Sequence, residues 1–165
     1  MNFKIWLESR ASPIVYHVTY YRNLDSISDD GLNYGEFGGA NFPQAWLSAH
    51  SSKGNFFVAN IRDVGHWVHT LEYHAYDKSD NIEKDGLIPI ILSFRLNSNK
   101  HISDELGDTQ SDRRTTREIP AQGIYVWDSI KWLSINYWQQ INLENFLTRD
   151  EHGVQIKNPY PLPQQ

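Results

Sequence analysis

The 165-residue chain carries 6 Trp, 9 Tyr and 7 Phe, is 39% hydrophobic and contains no cysteine. That aromatic load excludes global disorder, and the missing thiol excludes a disulfide framework, a Cys-based zinc ribbon and a thiol nucleophile. With 15 Lys+Arg against 20 Asp+Glu, the net charge of −5 argues against a broad phosphate-neutralising footprint but leaves a small local one open.

The length predicts one domain over residues 1–156, followed by a Pro-rich, extended or frayed tail at 157–165. Met1 to Glu8 is too short and too charged for a signal peptide, and no apolar run approaches the ~20 residues of a membrane span, so the expectation is a soluble cytoplasmic protein. Phe3, Trp6 and Leu7 have helical spacing, which predicts a short helix over 2–9. Pro13 precedes the β-branched run Ile14 to Thr19, a predicted strand. Leu24 and Ile27 predict a helix over 22–30, stopped by Gly31. Residues 33–44, rich in Gly, read as a loop, and 45–49 and 55–59 as short strands. A long helix is predicted over 60–76 from Ile61, Val64, Val68 and Leu71. Residues 88–96 form the strongest strand, apolar on both faces at its start. The polar stretch 97–117 reads as a surface loop. Residues 123–127 and 131–135 read as a hairpin with a three-residue loop, and 141–149 as a last helix. Strands clustering late with few helices favour an α+β fold with antiparallel sheets.

Three constellations carry chemistry. In the first, Tyr16-His17-Val18-Thr19, a histidine ends a buried strand immediately before a helix. Its ring nitrogens donate and accept at once, and Thr19 adds a hydroxyl beside them. The plainer reading is a core histidine bonded to a neighbouring carbonyl. The whole string from Val15 to Leu32, hydrophobic-Tyr-His-x-Thr, then Leu24, Ile27 and Gly31-Leu32, resembles the opening motif of ADP-ribosyltransferase-like proteins. The resemblance implies a split antiparallel β-sandwich with flanking helices and a cleft for NAD. It assigns His17 to the adenosine-side ribose and Thr19 to the nicotinamide end, with Val18, Arg22 and Gly31 in the same cofactor-binding set.

By the same resemblance, Ser48 in Trp46-Leu47-Ser48 and Phe57 in Phe56-Phe57 frame the nicotinamide ring, although such aromatics are equally core residues. The third constellation is Thr115-Thr116-Arg117-Glu118-Ile119-Pro120, which is similar to the segment carrying the family's acid and nominates Glu118 as catalytic beside His17. Breaking the nicotinamide–ribose bond builds an oxocarbenium-like centre that a carboxylate stabilises. The same group can act as base on the acceptor. The alternative is a solvated Glu in an Arg-rich loop. Glu118 stands only two residues before Pro120, so Asp112 and Glu105 are the next candidates. Arg113, Arg114 and Arg117 suit phosphate contact, or simply pair with nearby acids.

His66, His69 and His74 are spaced three and five apart, not the i,i+4 of a zinc helix, and no metal is expected. The resulting expectation is a mono-ADP-ribosyltransferase, of the kind found among toxins and phage effectors, that releases nicotinamide from NAD. The charge favours a protein acceptor over nucleic acid, or else a narrow single-stranded contact. The rival readings are an RNA 2′-phosphotransferase and an inactive binding module of the same fold.

Overall fold

A computed structural model describes residues 13–33, 55–96, 102–103, 108–115, 117–151, 153–156 and 159–164. The predicted helix at 2–9, the loop 34–44 and the strand 45–49 with Ser48 lie outside these, as does Glu105.

The class is α+β. Among the described residues seven strands form one antiparallel sheet in the order β4-β5-β2-β1-β3-β6-β7. These are β1 (Ile14–Tyr20), β2 (Asn55–Val58), β3 (Pro89–Arg95), β4 (Ile102–Ser103), β5 (Asp112–Thr115), β6 (Tyr125–Trp127) and β7 (Trp132–Ser134). A separate hairpin joins β8 (Leu147–Asp150) to β9 (Gly153–Ile156). The described residues also form two α-helices, α1 (Leu24–Asp30) and α2 (Val64–Lys78), and several 3₁₀ turns.

β3 is central because its composition allows nothing else. Pro89 to Phe94 are all buried, as a strand covered on both faces requires. β1 pairs with it along its full length, from Ile14↔Arg95 to Tyr20↔Pro89. On the other side β1 meets β2 through one register pair only, Tyr16↔Val58. A β4-β5-β2 half and a β1-β3-β6-β7 half of the one sheet are thus joined at a short seam.

Helix α2 lies across β1 and β3, burying Val64, Val68, Leu71 and Ala75 at helical spacing. Tyr20 fastens it, its buried hydroxyl donating to the Leu71 carbonyl at 2.8 Å. Burial lifts the Tyr20 phenol to about 12, against a smaller opposing effect of Arg22. α1 buries Leu24 and Ile27 and packs on the 3₁₀ turns Ala121–Gly123 and Ile135–Gln140.

Three sequence expectations need correction. The stretch 97–117 is not all loop: it contains β4 and β5, and the charged Asp112-Arg113-Arg114-Thr115 pairs with β2 through the backbone, where side-chain polarity has no vote. Residues 141–149 are not a helix. Asn142 accepts from the Glu144 N–H and starts a 3₁₀ turn at Leu143–Phe146, after which the chain extends into β8. The tail is not frayed where it is described. Tyr160 is buried against Phe146 and donates to the Pro89 carbonyl, and Trp127 Nε1 donates to the Pro161 carbonyl at 2.6 Å.

The tail therefore belongs to the core energetically. Tyr160→Phe, which removes the buried hydrogen bond, is expected to cost ~1–3 kcal/mol. Tyr160→Ala, which also leaves a cavity, should cost ~3–5 kcal/mol. Urea denaturation of both variants checks the order and the size.

Candidate functional site

Of the sequence-nominated residues, His17, Gly31 and Glu118 stand at the seam between the two parts of the sheet, and Arg22 does not. Two connections cross the seam: α1 with Gly31-Leu32, running from β1 toward β2, and residues 117–124, running toward β6. They pair with each other. The Leu32 N–H donates to the Ile119 carbonyl at 2.8 Å, and the Ile119 N–H to the Leu32 carbonyl at 2.9 Å. Buried Asn55, at the start of β2, ties both down by donating to the Leu32 carbonyl (3.0 Å) and the Arg117 carbonyl (3.1 Å). Glu118 lies between these two anchored peptides.

Gly31 explains why the crossing is so close. Its φ is +76°, and a Cβ there would stand 2.2 Å from the Ile119 oxygen and 3.0 Å from the Ala121 nitrogen. Only glycine supplies that dihedral and that clearance together. Its N–H also closes α1 on the Ile27 carbonyl at 2.9 Å.

His17 faces the seam from β1. Nδ1 lies 2.5 Å from the Phe56 carbonyl of β2, so the ring links the two strands where their pairing is confined to Tyr16 and Val58. With Nδ1 as donor, the neutral ring keeps Nε2 as an acceptor. Burial pushes the imidazole below its ordinary value, and the bond to the Phe56 carbonyl opposes that shift.

Strand alternation then sorts the neighbours. His17, Leu92, Val126 and Leu133 occupy mutually opposite positions and share one face of the sheet. Tyr16, Ser93, Tyr125 and Ser134 share the other. An open groove of about 930 Å³ lies there, walled on one side by Tyr16, Ser93, Arg95, Tyr125 and Trp132 and on the other by Arg117 and Glu118. This volume suits a ligand of dinucleotide size.

Of the described residues nominated from sequence, Glu118 and Arg117 line this groove, and His17 lies on the opposite face of the sheet. Thr19 is 3% exposed, its hydroxyl accepting from Asn23 Nδ2 at 2.9 Å. Val18 is half-buried opposite Ile91. Phe57 is 4% exposed and packs edge-on against Phe94, while its neighbour Phe56 is the half-exposed one. Arg22 sits at the far end of β1, its guanidinium over the Tyr20 ring and its N–H on the Gly86 carbonyl. Asp112, the reserve acid, is buried and accepts from Trp67 Nε1 (2.9 Å), the Thr109 N–H (3.0 Å) and the Thr109 hydroxyl (2.5 Å). That carboxylate clamps α2 to β5. Arg113 bonds the Gln110 and Asp112 carbonyls.

Sequence reasoning missed Asn55 and the groove aromatics. Asn55 had a signal, a lone amide opening the apolar run Asn-Phe-Phe-Val. Tyr16 had one too, since alternation places it opposite to His17. Among the described residues no group of three or more His, Cys, Asp or Glu could hold a metal ion, and no helix is long and apolar enough to cross a membrane. Comparison with protein-family models, curated proteins and solved structures gives no match to this chain.

Two outcomes are expected from the seam. Gly31→Ala forces an L side chain into left-handed backbone against the Ile119 oxygen, and should lower stability by at least ~1–3 kcal/mol in urea titration. His17, whose folded value is depressed, favours the neutral ring when folded, so the unfolded chain binds more protons between that value and its own ~6.5. Stability is then fully present above about pH 6.5 and falls as pH drops toward the folded value. His17→Gln, which keeps an amide donor for the Phe56 carbonyl, should flatten that part of the melting-temperature profile relative to the wild type.

Proposed function

We propose that the protein is an NAD-dependent mono-ADP-ribosyltransferase built on an ADP-ribosyltransferase-like split sheet. The observation that carries the reading is the pairing of the two seam crossings. The Gly31-Leu32 end of the first motif is bonded on both sides to Ile119, next to Glu118, so two motifs 87 residues apart (Gly31 to Glu118) meet at one place. The near-division of the sheet at Tyr16↔Val58 supports the same reading.

In this reading NAD lies along the seam, with the His17 Nε2 accepting from a ribose hydroxyl and the Thr19 backbone beside the nicotinamide end. Glu118 reaches the reacting ribose from the crossing peptide. Its carboxylate accepts from the ribose 2′-hydroxyl and offsets the positive charge that grows at C1′ as the bond to the nicotinamide nitrogen breaks. The nicotinamide leaves with the electron pair of that bond, and a nucleophile of the acceptor closes on C1′ while its proton passes to a base. The anchored flanks of Glu118 matter here, because electrostatic stabilisation depends on a carboxylate held in place before the charge appears.

Incubation with NAD labelled on its adenylate, together with a cell lysate, tests the reading. Label transferred to macromolecule is expected, and Glu118→Gln, which keeps the shape and removes the charge, should lower it ~10²- to 10³-fold. No transfer and no NAD-dependent rise in melting temperature would instead leave an inactive binding module. That second reading draws on the engagement of His17 Nδ1 by Phe56 and of the Thr19 hydroxyl by Asn23.

A further inference from the structure

We infer that the groove on the Tyr16 side of the sheet is the acceptor subsite, and that it takes a single strand of nucleic acid. The inference rests on the transferase reading for the word acceptor, and on the groove alone for the strand. Tyr16, Tyr125 and Trp132 line one wall. Tyr16 and Trp132 have ring centroids 6.1 Å apart with planes inclined by 34°, and Trp132 is backed by buried Trp127 at 5.3 Å. Trp127 is itself fastened to the tail through the Pro161 carbonyl. The wall is therefore a supported aromatic layer.

Tyr125 is 48% exposed on β6, beside the edge strand β7, and is flanked on its own face by Ser93 and Ser134. A large ring left uncovered between two hydroxyl-bearing residues offers a π face and hydrogen-bonding partners together, which is what an unpaired base requires. Among the described residues the charged ones lining the groove are Arg95, Arg117 and Glu118. Two arginines thus share the groove with the aromatic wall, and guanidinium groups suit the phosphates of a strand whose base is stacked there. Glu118 lines the same groove. A duplex would demand a broad cationic surface, which a chain of net charge −5 does not provide. A short single strand needs only a stacking platform and a few cations.

Fluorescence anisotropy with labelled, mixed-sequence DNA and RNA strands of ~12 nucleotides, in the absence of NAD, tests the strand directly. Binding at about 50 mM salt that weakens steeply by about 200 mM is expected, and the DNA and RNA arms show whether a 2′-hydroxyl is read. Tyr125→Ala should weaken binding by about tenfold or more, and Tyr125→Phe, which keeps the π face, should restore it. The double substitution Arg95→Ala with Arg117→Ala should flatten the salt dependence. Absence of binding at about 50 mM salt, or binding indifferent to all of these variants, overturns the inference. ADP-ribose found on protein, with no oligonucleotide bound, overturns it while sparing the transferase. Oligonucleotide bound through Tyr125, with no label transferred from NAD, supports the subsite as a strand-binding groove and removes the transferase reading instead.

Discussion

The double hydrogen bond between Leu32 and Ile119 is the constraint on which the site depends. It joins two connections that otherwise belong to different halves of the sheet, and it forms only because Gly31 carries no side chain. Asn55 adds two bonds to the same peptides from within the core. A buried amide with both donor hydrogens used on carbonyls is worth more as a positioning device than as a source of net stability, since each bond replaces one to water. What it supplies is a fixed backbone on either side of Glu118.

β1 shows how one strand serves three purposes through a period of two. Tyr16 turns to the groove, His17 turns to the seam, and Tyr20, on the face of Tyr16 but two repeats of the pleat further along, reaches the backbone of α2. The last of these anchors the first two. With Tyr20 tied to Leu71, and β1 paired to β3 along all seven of its residues, the strand has little freedom to follow β2. The seam is thus a consequence of stronger commitments on the β3 side, and His17 spans what the ladder leaves.

Much of the frame was legible in the sequence because it follows from hydrophobic period. The strand at Ile14, the helix from Leu24 to the Gly31 stop, the α2 stripe of Val64, Val68 and Leu71, and the buried run at Ile90 are all of this kind. The failures share a different cause. β5 is Asp-Arg-Arg-Thr, and its place in the sheet comes from backbone bonds to β2 that composition does not advertise. Residues 141–149 have helix-forming composition, but the Asn142 side chain takes the Glu144 N–H and the turn tightens to 3₁₀. The tail looks unstructured by its prolines, yet Tyr160 carries it into the core. For the site, Glu118 and Gly31 were reachable by motif, whereas their contact is a long-range pairing that no local pattern encodes.

Charge distribution follows the same division between local and global. Acidic residues dominate the chain, but several of their carboxylates are spent on holding structure. Asp112 secures Trp67, Asp128 closes the β6–β7 turn by accepting from the N–H groups of Ile130 and Lys131, and Glu83 and Glu144 converge on Arg149. Exposed pairs such as the last contribute little to stability in water, but they hold acids at positions away from the groove. There Arg95 and Arg117 stand with Glu118. A net charge computed over the whole chain therefore describes its solubility better than its ligand. Among the described residues three charged side chains line the groove, and two of them carry the sign opposite to the total.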